Sequence, residues 1–450
     1  MTHRLRRCLW ARQLLVLLAT GIATASHARV LDTSLPSSVA VEAAGDGAAS
    51  PESMTLDSAM ARVLERHPDL KLAGFTEQSL RAAMDTAAQR PPLTAGVLVE
   101  NALGTGNASG FKNAQVTLSL ASVLERGGKR EARQALASTR LDAVAFSREA
   151  KRLDLLAEVA RRYLDVVAAQ AEAEIAAIDI EQRTRTVAAA TKRVQAGASP
   201  ESARLTAEAM RARAELDRNR CRREAEAAYR RLAVLWSERN APVVSVTGDP
   251  LALPAVPGFD ALAQLLERTP ELQRFAGEER IREARLQLAR SARTPDVEWQ
   301  VGIRRLQDLS AWGLVAGASI PLGASHRAAP EIRAAESDLE SVSLERESSE
   351  LTLYATLAQA YGQFVARKSE VEQSRDDLLP RLARAEAAAE RAYRAGALSY
   401  LEWAQVQSDT TAARKQQLAA AIGAQRALIE IQRLTGEPFV QPATAKENAP

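Results

Sequence analysis

The chain has 450 residues, of which 26% are charged and 4% aromatic, and its formal net charge is only +3. So even a balance excludes the strong basic field of a nucleic-acid binder. So few rings exclude one large aromatic-rich core, whereas the dominance of alanine, leucine, arginine and glutamate suits long helices packed along seams.

The first 28 residues have the pattern of an export signal. His3, Arg4, Arg6, Arg7 and Arg12 make a basic start, Leu14 to Ile22 an apolar run, and Ala23-Thr24-Ala25 or Ser26-His27-Ala28 a small-residue cleavage site. Cys8 falls inside this segment, so a lipid-anchored N-terminus is not expected. Cys221 then stands alone, which leaves no disulfide framework. No later stretch reaches the roughly 18 apolar residues of a spanning helix. Residues 29–54 and 441–450 are expected to be disordered by composition.

Between these ends the chain repeats itself with an offset of about 200 residues. Glu65-Arg66-His67-Pro68-Asp69-Leu70 returns as Glu267-Arg268-Thr269-Pro270-Glu271-Leu272, and Gln195-Ala196-Gly197-Ala198 returns as Arg394-Ala395-Gly396-Ala397. The expected units are residues 55–240 and 258–440, joined by a linker at 241–257. Each unit reads as helix, two strands, then two long helices.

In the first unit, residues 55–90 have a helical pattern that must stop before Pro91-Pro92. Val97 and Val99 alternate with Gly96, Leu98 and Glu100, and Val116 and Leu118 with Gln115, Thr117 and Ser119, the period of a strand with two different environments. Lys129 to Ala196 contains neither glycine nor proline and predicts one helix about 100 Å long. Leu153, Leu156, Ala160, Tyr163 and Val167 form its seam, alternately three and four residues apart. Gly197 and Pro200 break it, and 201–239 is the returning arm. In the second unit Trp299, Val301, Trp312 and Leu314 lie on alternating strands. Tyr354, Leu357, Tyr361 and Phe364 predict the seam, Pro380 a kink, and Gly396 to Ser399 the second turn.

Val99-Glu100-Asn101, Gly104-Thr105-Gly106, Thr117-Leu118-Ser119-Leu120 and Glu125-Arg126-Gly127-Gly128-Lys129-Arg130, with the duplicated Ala-Gly turns, resemble the TolC family of outer-membrane factors. The resemblance covers roughly 55–440 and is nearest the branch serving cobalt-zinc-cadmium type resistance-nodulation-division pumps. It implies a mainly α fold with a small membrane β part. Three copies would pool their strands into a twelve-strand outer-membrane barrel, continued by a long periplasmic α-helical barrel. The implied partners are a periplasmic adaptor protein, an inner-membrane pump, outer-membrane lipid and two further copies of the chain.

The same resemblance places Gln195, Gly197, Ser199, Arg394, Gly396 and Ser399 at tips that meet the adaptor, although both glycines also suit plain helix capping. It places Glu402 at a periplasmic constriction where carboxylates near one axis attract cations, with Gln405 one turn later at a position that is acidic in some relatives. A solvated helix-face charge is the simpler role for Glu402. Val97, Val99, Val116, Leu118, Trp299, Val301, Trp312 and Leu314 would face the membrane. No catalytic motif, phosphate loop or metal-ligand cluster stands out, so neither an enzyme nor a cofactor is expected. A channel for drugs or for type I secretion, and a soluble periplasmic coiled-coil scaffold, remain the alternative readings.

Overall fold

The duplication is carried into the architecture element by element. The structure, a computed structural model, describes residues 53–439; the expected export signal at 1–28 and the expected disordered tail at 441–450 lie outside the described residues. The first unit comprises α1 (Leu56–Arg66), α2 (Pro68–Ala88), β1 (Thr94–Glu100), β2 (Gln115–Leu124), α3 (Lys129–Gln195) and α4 (Glu201–Ala233). The second comprises α5 (Phe259–Leu265), α6 (Pro270–Ser291), β3 (Val297–Leu306), β4 (Ala311–Ser319), α7 (Ala324–Gln373), α8 (Leu379–Ala395) and α9 (Tyr400–Thr435).

The repeated Pro motif is a helix junction. His67 ends α1 and caps α2, accepting from the Asp69 N–H at 3.1 Å, while Pro68 occupies the first turn, where a missing N–H costs nothing. Thr269 and Pro270 occupy the same positions before α6, although the Thr269 hydroxyl donates to the Leu266 carbonyl at 2.8 Å rather than capping the helix. The single helix expected over 55–90 is therefore two. Thr55 opens α1 through a reciprocal pair of hydrogen bonds with Ser58. Just before it, Met54 is buried and bridges to Val246 of the inter-unit segment, so this last residue of the segment expected to be disordered is held in the fold.

The four strands form one antiparallel sheet in the order β1-β2-β3-β4. The central β2–β3 ladder joins the two units, from Gln115 opposite Leu306 to Leu124 opposite Val297. β2, β3 and β4 have 10, 10 and 9 residues, within the roughly 9–11 that a tilted strand needs to cross a bilayer, but β1 has only 7.

The Glu125 to Arg130 motif turns the chain from β2 into α3. Gly127 and Gly128 both have positive φ, and a Cβ on Gly127 would lie 2.6 Å from that of Thr294, so only glycine fits. Asp296, at the entrance to β3, accepts from the Arg126 N–H at 3.1 Å and pairs with Lys129 at 2.7 Å. Arg133 grips Glu125 with both guanidinium nitrogens and holds its carboxyl below the usual range.

α3 runs unbroken for 67 residues, about 100 Å. Leu156, Ala160, Tyr163 and Val167 of its predicted seam are buried, Leu153 half-buried. Ala157, Val159, Leu164 and Val166 are buried too, because α3 packs α1 and α4 on one side and α9 on another. The Tyr163 hydroxyl donates to the Met54 carbonyl at 2.9 Å.

The second unit diverges in two places. Its buried seam is Leu353, Leu357, Ala360 and Phe364; Tyr354 is exposed and Tyr361 half-buried. Both tyrosines instead meet the ring of Phe259 from α5, at 5.3 and 5.7 Å between centroids. Where the sequence predicts a kink at Pro380, the α-helix is interrupted a turn earlier, at a π-helical segment over Ser374–Leu378 between α7 and α8. The proline ring crowds the carbonyl four residues before it, and the wider π turn accommodates it.

Candidate functional site

The two hairpin turns are built alike and lie side by side. Each outgoing helix ends on a left-handed glycine, Gly197 at φ 68° and Gly396 at φ 85°. The next amide reaches back five residues, Ala198 N to Arg193 O at 2.8 Å and Ala397 N to Ala392 O at 2.9 Å, which satisfies the last carbonyls. The returning helices start differently. Ser399 caps α9, sharing reciprocal hydrogen bonds with Glu402, whereas Pro200 occupies that position before α4. Ser199 is thus one residue out of step with Ser399 and is half-buried, while Gln195, Gly197, Arg394, Gly396 and Ser399 are exposed.

Arg193 ties the two turns together. Its guanidinium donates to Ala198 O at 3.1 Å and to Tyr393 O of the other hairpin, and stands 4.9 Å from the Tyr393 ring centre. Beneath it, Tyr393 and Trp403 pack at 5.1 Å among Ala190, Ala207, Ala389 and Tyr400. Arg394, singled out from the sequence, is engaged within α8 by Glu390 at 2.6 Å. Arg193 was not singled out, since nothing separates it by type from the many arginines around it.

Further along the hairpins a buried polar layer joins α3 to α8 and α9. Asp179 accepts from Arg183 at 2.8 Å and from Thr411 at 2.9 Å; Gln407 donates to Thr186 at 2.9 Å. Gln182 donates to Glu386 at 3.3 Å, and burial pushes the Glu386 carboxyl up.

Glu402, Gln405 and Asp409 are exposed at successive turns on one face of α9. The Ser399 hydroxyl and N–H hold the Glu402 carboxyl low, so it carries charge at neutral pH. Gln405 donates to Asp409 at 2.8 Å. Asp409 extends the face expected from the sequence; the helical period from Glu402 was the signal for it.

In the sheet, strand register sorts the side chains cleanly. Val97, Leu118, Ile303 and Leu314 form one cross-strand row, and Val99, Val116, Arg305 and Trp312 the next. Val301 and Trp299 follow on the same face, so all eight strand residues singled out from the sequence share it. They are largely exposed, Leu314 at 90% and Trp312 at 65%. Arg305 sits over the Trp312 ring at 5.4 Å. The opposite face carries Glu100, Gln115, Thr117, Gln300 and Arg304 beside an exposed Leu98, with Arg304 linked to Thr117 at 2.9 Å and to Glu100 at 3.2 Å. Among the described residues no helix is long and apolar enough to cross a membrane.

Comparisons with known proteins agree with this architecture. The cobalt-zinc-cadmium resistance protein CzcC of Cupriavidus metallidurans is 24% identical over 383 residues, 85% of this chain and 90% of its own. A structure of CusC, described in terms of transmembrane channel formation, superposes with a TM-score of 0.70 at 19% identity, over 84% of this chain and 91% of that one. The outer membrane protein VceC of Vibrio cholerae gives 0.68 at 16% identity, over 86% and 97%. The family model for outer membrane efflux proteins matches residues 59–238 and 261–437, both repeats, and the chain belongs to that family.

Proposed function

We propose that this chain is the outer-membrane channel of a tripartite resistance-nodulation-division efflux system and passes heavy-metal cations to the exterior. The observation that carries the reading is the sheet: one exposed apolar face, one polar face, and two edges, β1 and β4, without a partner among the described residues. Open edges are not tolerated in lipid, where each unpaired backbone group costs several kcal/mol. Joining β4 of one copy to β1 of the next closes the ladder. Three copies make twelve strands, within the range of outer-membrane barrels. The polar face then lines the lumen, and the long hairpins continue it through the periplasm.

The paired tips around Gly197 and Gly396 offer exposed backbone and a groove between them, lined by Arg193, Ser199, Pro200, Tyr393 and Ser399. This is the surface for a periplasmic adaptor. Glu402, with Asp409 along the same face, supplies carboxylates to the pore, where a ring of them favours cations over anions. The chain acts as a passive conduit rather than an enzyme; energy enters through the inner-membrane pump. The metal class follows from the resistance protein it resembles over most of its length.

The test is metal tolerance in a strain lacking the protein, across zinc, cobalt, cadmium, copper and several drugs, with membrane fractionation. Sensitivity to divalent metals and outer-membrane trimers are expected. Sensitivity to drugs alone would keep the channel and discard the metal cargo, and a soluble periplasmic protein would overturn both.

A further inference from the structure

The first hairpin carries a donor cluster that the channel reading does not use. Ala207, Ala214, Cys221 and Ala228 recur every seven residues along α4, and all four are buried against the rest of the fold. Small side chains at this seam let α4 lie close to α3. At one of the four positions a thiol replaces the alanine methyl. Cys221 is 1% exposed, yet its sulfur is turned towards a carboxylate oxygen of Glu172 on α3, 3.9 Å away. Glu224, one turn further along α4, completes the group, and donor atoms of all three residues lie within 4.8 Å of one another.

One feature sets this cluster apart from a cysteine merely filling a seam: its donors come from two helices and are of two chemical kinds, one sulfur and two carboxylates. Glu172 makes no ion pair among the described residues, and its carboxylate accepts from the Cys221 thiol. The cations nearest the cluster are engaged by carboxylates, Arg220 with Glu224 at 3.3 Å and Lys415 with Asp217 at 3.6 Å.

We propose that Glu172, Cys221 and Glu224 bind a thiophilic divalent cation of the zinc and cadmium class. Thiolate with carboxylates suits such borderline to soft ions, in a tetrahedral sphere whose fourth position water can fill from the exposed side of Glu224. Binding forms a metal–sulfur bond and breaks the S–H bond, and the proton leaves to solvent. A thiol ligates as its thiolate, so the cation must displace that proton and binding weakens as pH falls. The inference goes beyond the channel reading and does not depend on it, since the cluster is separate from the tips, the α9 face and the sheet.

Cadmium alone is the probe, added to the full detergent-solubilised protein in a Cys8→Ser background, where Cys221 is the remaining thiol. A thiolate-to-cadmium charge-transfer absorption saturating at one cadmium per chain is expected, with one proton released and zinc competing. Cys221→Ser should abolish the band. Glu172→Gln and Glu224→Gln keep the thiol and should weaken binding by at least about tenfold. Unchanged affinity in both carboxamide variants would reduce the site to a lone reactive thiol, and absence of the band would remove it; either overturns the proposal. Should Glu172→Gln fail to assemble, the exposed Glu224→Gln decides alone. Loss of cadmium binding with outer-membrane trimers and metal tolerance intact would leave the channel reading standing.

Discussion

The guanidinium of Arg193 in α3 lies 4.9 Å from the ring centre of Tyr393 in α8 and donates to the carbonyl of that same residue. One side chain of the first repeat thus fixes the end of the second repeat's hairpin. Arg193→Ala removes this link and the hydrogen bond to Ala198 O, each charge-assisted bond contributing about 1.5–3 kcal/mol. Faster amide hydrogen exchange at residues 393–399 is expected, with the sheet unaffected. Lysine cannot reproduce the two-pronged contact, so Arg193→Lys should recover only part of the protection.

Gly396 holds φ 85°, a conformation that costs other residues roughly 1–2 kcal/mol. Gly396→Ala should therefore lower stability by about that amount without blocking the tip. Gly396→Arg adds bulk on the exposed turn and is expected to abolish resistance while trimers persist in the outer membrane. Wild-type resistance in that variant would argue against the adaptor-contacting role.

Glu402 serves both as a cap for α9 and, in the proposed channel, as a pore charge; two substitutions separate these roles. Glutamine keeps an oxygen for the Ser399 N–H, so Glu402→Gln preserves the cap and removes the charge. Reduced cation preference in planar-bilayer reversal potentials is expected for both Glu402→Gln and Glu402→Ala, and lower thermal stability only for the alanine. Identical selectivity in all three proteins would take Glu402 out of the pore.

Burial raises the Glu386 carboxyl, against the opposing charges of Arg414 and Arg185. The folded state therefore holds this proton more tightly than the unfolded state. The resulting stability is fully present below the ordinary carboxyl value of 4.5 and is lost as pH rises through the raised folded value. Glu386→Gln mimics the protonated form, so it should stabilise the protein at neutral pH and confer no advantage in acid. Thermal unfolding across that range checks the sign.

The apolar face of the sheet makes the membrane assignment testable without any transport assay. Leu314→Arg puts a charge among the exposed aliphatic side chains and should cost on the order of 2 kcal/mol of insertion. Gln300→Arg, on the opposite face of the neighbouring strand, should be tolerated. Equal yields of outer-membrane trimer from both variants would contradict the two-faced reading.

Much of this fold was legible because its signals are periodic. The uninterrupted run from Lys129, the alternation in the strands and the duplicated Pro and Ala-Gly motifs each follow from backbone rules that act locally. What the sequence concealed depends on distant partners. Tyr354 has the spacing of a seam residue, but Phe259 draws it outward, and no pattern within α7 encodes that ring. The relief of Pro380 falls on the preceding turn because the strain is transmitted to a carbonyl four residues back. Arg193 and Asp409 are residue types abundant on every helix face here, so only the meeting of two hairpins, or the face shared with Glu402, distinguishes them.

The central ladder also has a kinetic consequence. β2 cannot begin to find its β3 partner until residue 297 has been made and delivered, because the ladder joins Leu124 to Val297 and Gln115 to Leu306 across the rest of the first unit and the start of the second. Closing so long a loop is entropically costly, and contacts of this separation form slowly. The helices of the first unit can assemble while β1 and β2 still wait as a two-stranded ribbon with an exposed apolar face. During that interval the ribbon is the most aggregation-prone part of the molecule. A chain stalled between its repeats should be a better substrate for periplasmic chaperones and proteases than one truncated before β1.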